Sequence, residues 1–206
     1  MQNLPRAILI DLDDTLLATT EAGRYATEVI VKQLANDSQL PLKRVREEMA
    51  EANVWFWSDE ERRTQARLNQ AGARTMIIKR SLEGLKVSAG IDADALGHRL
   101  VAERLRLLDP IAGALETVAE LGRLGVKLAL VTNGSAVYQR PKIDRHAVDL
   151  LFDEVLVESE VGFGKPDPRI FLLALQRLSV MPEDAWMVGD DLPWDISGAK
   201  AVGIHT

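Results

Sequence analysis

The sequence has no cysteine, which excludes disulfides, thiolate metal sites and a cysteine nucleophile. Long apolar runs are missing as well. The longest are strand-sized, well short of the ~20 residues of a membrane span. The opening stretch MQNLPRAILIDLDD lacks the basic segment followed by a long apolar one that marks a secretory signal. Positive charge is in deficit: 25 Lys and Arg against 31 Asp and Glu leave a net charge of -6. That balance gives no footprint for nucleic acid or for an anionic membrane. It also means that an anionic substrate would need local positive charge. These absences predict a soluble, cytoplasmic protein with no nucleic-acid or membrane partner.

What is present is ordinary in bulk and specific in detail. A length of 206 residues, 47% of them hydrophobic, suits one large domain or a core with a smaller insert. Two textures alternate. From Thr20 to about Asp109 the pattern is helical throughout. Ser58-Asp-Glu-Glu61 reads as a capping box opening a long helix through Arg67, Met76 and Lys79. Pro41 suits the first turn of another helix, and Asp92 the cap of one running through Leu107. From Pro110 onward the period changes. Helices are expected at Ala114–Leu124, Pro168–Leu178 and Ile196–Val202, and strands at Val126–Val131, Glu154–Val157 and Ala185–Val188. This alternation predicts βαβ units in an α/β fold, a Rossmann-like parallel sheet covered by helices on both faces. The apolar run Ala7–Ile10 belongs to the same sheet. Residues 1–18 and 110–206 would then form the catalytic core, with residues 19–109 an all-helical domain inserted after the first strand.

In an open α/β sheet, ligands bind beyond the carboxyl ends of the strands. The residues expected there carry chemistry. The first strand leads to Asp11, Asp13 and Thr15, and the second to Thr132, Asn133 and Gly134. The third leads, after Gly164, to Lys165-Pro-Asp-Pro168. The fourth leads to Gly189-Asp190-Asp191, with Asp195 close behind. Acids at the end of a buried strand are costly without a cation. Several carboxylates with no histidine among them favour a hard cation held by oxygen, and Mg²⁺ suits best. Thr132 with the Asn133 and Gly134 amides, at a helix start, would form a pocket for anionic oxygens. Lys165 would add a compact positive charge. Phosphoryl transfer to an aspartate fits this set.

Asp11-Leu-Asp13-Asp-Thr15, Val131-Thr132-Asn-Gly, Gly164-Lys165-Pro-Asp-Pro and Val188-Gly-Asp190-Asp-Leu-Pro-Trp-Asp195 resemble the four motifs of the haloacid dehalogenase-like hydrolase superfamily. They occur in that family's order and span the chain. The resemblance makes the helical insert a cap of the first type. It implies Asp11 as the nucleophile, and Asp13 as the acid that protonates the leaving alcohol and then activates water. It places Thr132 and Lys165 on the phosphoryl oxygens. Mg²⁺ would be held by the Asp11 side chain, the Asp13 backbone carbonyl and Asp190, with Asp191 and Asp195 behind them. Members of the family usually continue past the stretch Gly203-Ile-His-Thr206 through a further strand.

The implied activity is Mg²⁺-dependent hydrolysis of small phosphomonoesters, with a small phosphorylated metabolite as partner and a monomer or homodimer as the assembly. Competing readings are a 2-haloacid dehalogenase, a phosphomutase and a non-catalytic binding protein of the same fold. Dehalogenases of the family lack the second acid of the first motif, so Asp13 argues against that reading. In the insert, Trp55, Phe56 and Trp57 are expected chiefly as core, with Trp55, Trp57 or Arg67 as candidates to contact a leaving group. The basic residues Arg62, Arg63, Arg67 and Arg74 are otherwise expected on solvated helix faces.

Overall fold

Ala7–Ile10 presents four apolar residues in succession and forms strand β1, buried along its whole length. The computed structural model describes residues 4–87 and 90–206. Five helices follow β1: α1 (Thr19–Ser38), α2 (Leu42–Trp57), α3 (Glu60–Leu68), α4 (Gln70–Leu85) and α5 (Ala93–Arg106). The chain then alternates through α6 (Ala114–Arg123), β2 (Lys127–Thr132), α7 (Ala136–Arg145), β3 (Glu154–Val157), α8 (Glu158–Val161), α9 (Pro168–Leu178) and β4 (Ala185–Val188). A π-helical stretch, Leu192–Ser197, runs into α10 (Gly198–Ala201).

The four strands are parallel, in the order β3-β2-β1-β4. Ile10 lies level with Leu130 on one side and Val188 on the other, so β1 and β4 end side by side while β2 runs two residues further, to Thr132. The chain builds outward from β1 through β2 to β3, then crosses back to place β4 on the far side of β1. That reversal creates a crevice at the carboxyl ends of β1 and β4, the place where doubly wound sheets bind ligands. On one sheet face, Leu9, Val131 and Met187 pack with Ile170, Phe171 and Leu175 of α9. Burial of side chains of this size contributes about 1.5–3 kcal/mol each.

The chain divides into two compact units, one of Met1–Thr19 with Asp109–Thr206, the other Thr20–Leu108. In the first, Ala18 N donates to Asp109 O (3.0 Å) and Ile111 N to Leu16 O (2.8 Å), so the departing and returning segments run tied together. The second is helical, with a core that includes Ile30, Leu34, Phe56, Ile78 and Leu100.

Two local expectations change. The long helix from Ser58 is broken in two at Asn69, which ends α3 and caps α4 by accepting from Gly72 N (2.9 Å). The cap of α3 is Asp59, which accepts from Arg62 N (2.8 Å), while Ser58 closes α2 by donating to Trp55 O (2.9 Å). Arg62, Arg67 and Arg74 are also partly buried rather than solvated. Arg62 donates to the carbonyls of Trp55 (2.6 Å) and Phe56 (3.2 Å), satisfying the end of α2. Arg63 does lie exposed. Trp55 and Trp57 are partly buried against the unit's core on either side of Phe56, whose ring meets theirs edge-on.

Candidate active site

The ladder between β1 and β4 runs one residue past the strands, since Asp11 N donates to Val188 O (2.9 Å). This fixes the Asp11 backbone in the crevice, with its side chain buried. Beyond it the chain folds back: Leu16 N and Leu17 N both donate to Leu12 O at 3.0 Å. Asp14 takes a left-handed φ of 60° in this turn.

Lys165 reaches the same crevice from the loop before α9. Its backbone is held by Asn133, whose Oδ1 accepts from Lys165 N and whose Nδ2 donates to Lys165 O, each at 2.7 Å. The ammonium is 2.5 Å from Asp11 Oδ1 and 2.7 Å from Asp195 Oδ1, and all three side chains are buried. Asp195 fits there because residue 189 is glycine: a Cβ at Gly189 would lie 2.3 Å from Asp195 Oδ2. That oxygen accepts from Asp191 N (3.0 Å), and Asp191 in turn caps the π-helical stretch through Trp194 N (2.8 Å).

Carboxylate oxygens of Asp11, Asp190 and Asp195 lie within 4.8 Å of one another. Of these three carboxylates, Asp11 and Asp195 share one ammonium, that of Lys165. Burial pushes the Asp11 carboxyl up to about 6; Lys165 pulls against this, and Asp195 and Asp13 add to it. Asp190 is raised by burial first, and also by Asp14, Asp195 and Asp191. Burial opposes the charge on Lys165, yet Asp11 and Asp195 together hold its pKa above the ordinary value. A divalent cation among these oxygens would relieve the excess negative charge, and a donor set of oxygen alone suits a hard ion.

The remaining sequence-identified residues are placed as follows. Thr132 is buried at the end of β2, and its Oγ1 accepts from Gln139 Nε2 (2.6 Å). The Gly134 amide, expected to face an anion, donates to Glu158 Oε2 (2.7 Å) instead. The Asn133 side chain is likewise committed to Lys165, so of these three it is Thr132 that keeps its side chain among the acids' partners. The Asp13 side chain lies away from the three-carboxylate cluster and meets α7. There Lys142 Nζ is 2.8 Å from both of its oxygens, and Gln139 Nε2 donates to Oδ2 (3.0 Å). Sequence reasoning missed Gln139, Lys142 and Glu158. Gln139 and Lys142 stand three residues apart on a helix that follows Thr132, so they share a face; that spacing was the available signal.

A parallel α/β core with a buried lysine and a cluster of carboxylates meeting at its switch point defines a hydrolase-like class of ligand site. The particular family is clear from comparison: the chain belongs to the haloacid dehalogenase-like hydrolases, whose profile matches residues 5–203. It is 30% identical to glyceraldehyde 3-phosphate phosphatase of Methanopyrus kandleri, over 98% of this chain and 82% of that protein. It is 32% identical to phosphoserine phosphatase of Thermus thermophilus, over 97% of this chain and 86% of that one. In fold it is similar to the HAD-hydrolase YfnB of Bacillus subtilis, solved bound to magnesium. There the TM-score is 0.72 at 22% identity, covering 98% of this chain and 85% of the other. Among the described residues, no helix is long and apolar enough to cross a membrane.

Proposed function

We propose that the protein is a Mg²⁺-dependent phosphatase of small phosphomonoesters that works through an aspartyl-phosphate on Asp11. The observation that carries this reading is a buried carboxylate at the switch point of the sheet, held at 2.5 Å by Lys165 and clustered with Asp190 and Asp195. The named phosphatase relatives support it. Asp11 attacks phosphorus, and Lys165 and Thr132 hold the phosphoryl oxygens. Asp13 gives a proton to the departing alcohol and takes one from the water that releases phosphate. Lys142 and Gln139 fix where that carboxyl sits. Mg²⁺, held by Asp11, Asp190 and the Asp13 carbonyl, supplies neutralising charge for the phosphoryl group and the nucleophile. Asp195 acts through Lys165, and Asp191 through Asp195. The helical unit serves as the cap that selects the leaving group.

The test is turnover of p-nitrophenyl phosphate. We expect Mg²⁺-dependent release of phosphate that excess chelator abolishes. Asp11→Asn should lose at least ~10³-fold while melting like the wild type. Full turnover in chelator removes the metal from the reading, and an active Asp11→Asn removes the nucleophile. Chloride release from a 2-haloacid, without phosphate release, would favour the dehalogenase reading.

A further inference from the structure

The helical unit contains a cavity of about 500 Å³ among α1, α2, α4 and α5, a size that suits a small molecule. Its charged lining is four arginines, Arg24, Arg46, Arg74 and Arg104, against one carboxylate, Glu28. That single acid is already taken, since Arg46 binds it through two hydrogen bonds of 2.7 and 3.2 Å. Arg24 reaches Glu21 at 3.7 Å and lies over the Tyr25 ring. Arg74 is different. Its Nε is sealed from solvent and has no hydrogen-bond partner among the described residues, and its guanidinium sits 5.4 Å from the centre of the Trp57 ring. Burial, and then the charge of Arg104, push the Arg74 pKa down to about 9, so it remains a cation near neutrality. Arg104 lies against α1 where residue 23 is glycine, and a Cβ there would come within 3.2 Å of its Nε.

A guanidinium withdrawn from water beside a second one is destabilised until an anion meets it. The planar fork of arginine fits carboxylate and phosphate oxygens in pairs. A chain with a net charge of -6 has therefore concentrated cations around one cavity and left Arg74, sealed from solvent at Nε, without a hydrogen bond there. We propose that this cavity binds a small organic anion through a carboxylate or phosphate group, with Arg74 and Arg104 as its anchors and Trp57 along its apolar part. Two sources share that chemistry. One is the uncleaved portion of the phosphoryl substrate, an assignment that rests on the phosphatase reading. The other is a separate metabolite that binds whether or not that reading holds.

The full-length protein, in chelator, is titrated with malonate while tryptophan fluorescence and Tm are followed. Malonate carries no phosphoryl group and so is not turned over. We expect a saturable fluorescence change and a rise in Tm, with the dissociation constant raised at least ~10-fold in Arg74→Gln and in Arg104→Gln. Arg63→Gln, on the exposed face of α3, should bind as the wild type does. Arg74→Lys keeps charge without the fork, and intermediate weakening there supports the proposal even if Arg74→Gln melts early. No saturable response, or equal binding by the wild type and both Arg74 variants, overturns it.

Kinetics with Mg²⁺ separate the sources. If the substrate's own anion occupies the cavity, malonate raises the KM for p-nitrophenyl phosphate and leaves kcat unchanged. The preference for phosphoglycolate over p-nitrophenyl phosphate should also fall ~10-fold in Arg74→Gln. Malonate binding that leaves this KM unchanged assigns the cavity to a separate anion. Malonate binding in a protein with no phosphatase activity keeps the site and discards the phosphatase reading.

Discussion

Asp13 is the residue whose surroundings say most about its task. Its carboxylate is gripped by Lys142 at 2.8 Å through both oxygens and touched by Gln139 at 3.0 Å. In the proposed mechanism Asp13 gives up and recovers a proton at one place, and such a grip would serve that role, because misplacement of a catalytic group is costly. Lys142→Met should therefore lower kcat on alkyl phosphates by ~10–100-fold with KM little changed. The loss on p-nitrophenyl phosphate should be smaller, because its leaving group needs little protonation. Parallel losses on both substrates would make Lys142 a purely structural residue. Asp11, Thr132, Lys165 and Asp190 were legible in the sequence because chemistry-bearing residues stand out at the ends of apolar strands. Gln139 and Lys142 were not. A buried polar residue on a helix has the same pattern as one on a solvated face until its partner, here more than a hundred positions earlier, is known. Arg74 was expected on a solvated face because a buried arginine on a helix shows the same pattern as an exposed one.

At the scale of elements, the loop after β4 works because it is closely packed. Gly189 leaves room for Asp195, which reaches Lys165 on one side and the Asp191 amide on the other. Gly189→Ala would place a Cβ 2.4 Å from Asp195 Cγ, so that side chain must swing away from the ammonium. We expect kcat/KM to fall by ~10²-fold, since a shift of about 1 Å at such a contact costs that much. A variant with unaltered kinetics would show that Asp195 has no hold on Lys165. The βα alternation from Pro110 onward was readable from its period. The break at Asn69 was not, because the pattern of apolar residues carries through it and the cap depends on a single side-chain oxygen meeting Gly72 N. Removing that oxygen in Asn69→Ala should cost ~1 kcal/mol, read as a lower Tm.

For the whole molecule, the burial of Asp11 couples stability to pH and, under the proposed function, to metal. The ordinary Asp pKa is 3.8 and that of Asp11 is about 6. As pH rises between those values, the metal-free folded state holds this proton when the unfolded chain has released it. Asp11 therefore weakens the metal-free fold progressively as pH rises through that window and holds it at the weaker level above. Metal binding requires the ionised form, so the gain in Tm from Mg²⁺ should be larger at pH 7.5 than at pH 5. Calorimetry with and without chelator reads this directly, and an equal gain at both pH values would count against Asp11 as a ligand. The order of the strands has a different consequence, for how the protein is made. β1 precedes its neighbours along the chain, yet it sits inside the sheet between β2 and β4. Its neighbours arrive only after the whole helical unit has been synthesised. Until then an apolar strand tipped with acids has no partners. Joining Ala18 to Asp109 early would shorten the loop that β1 and β2 must close, lowering the entropic cost of their pairing. Asp11 and Asp190 therefore meet only once β4 lies beside β1, so the acidic cluster cannot assemble before the chain has been made through residue 190.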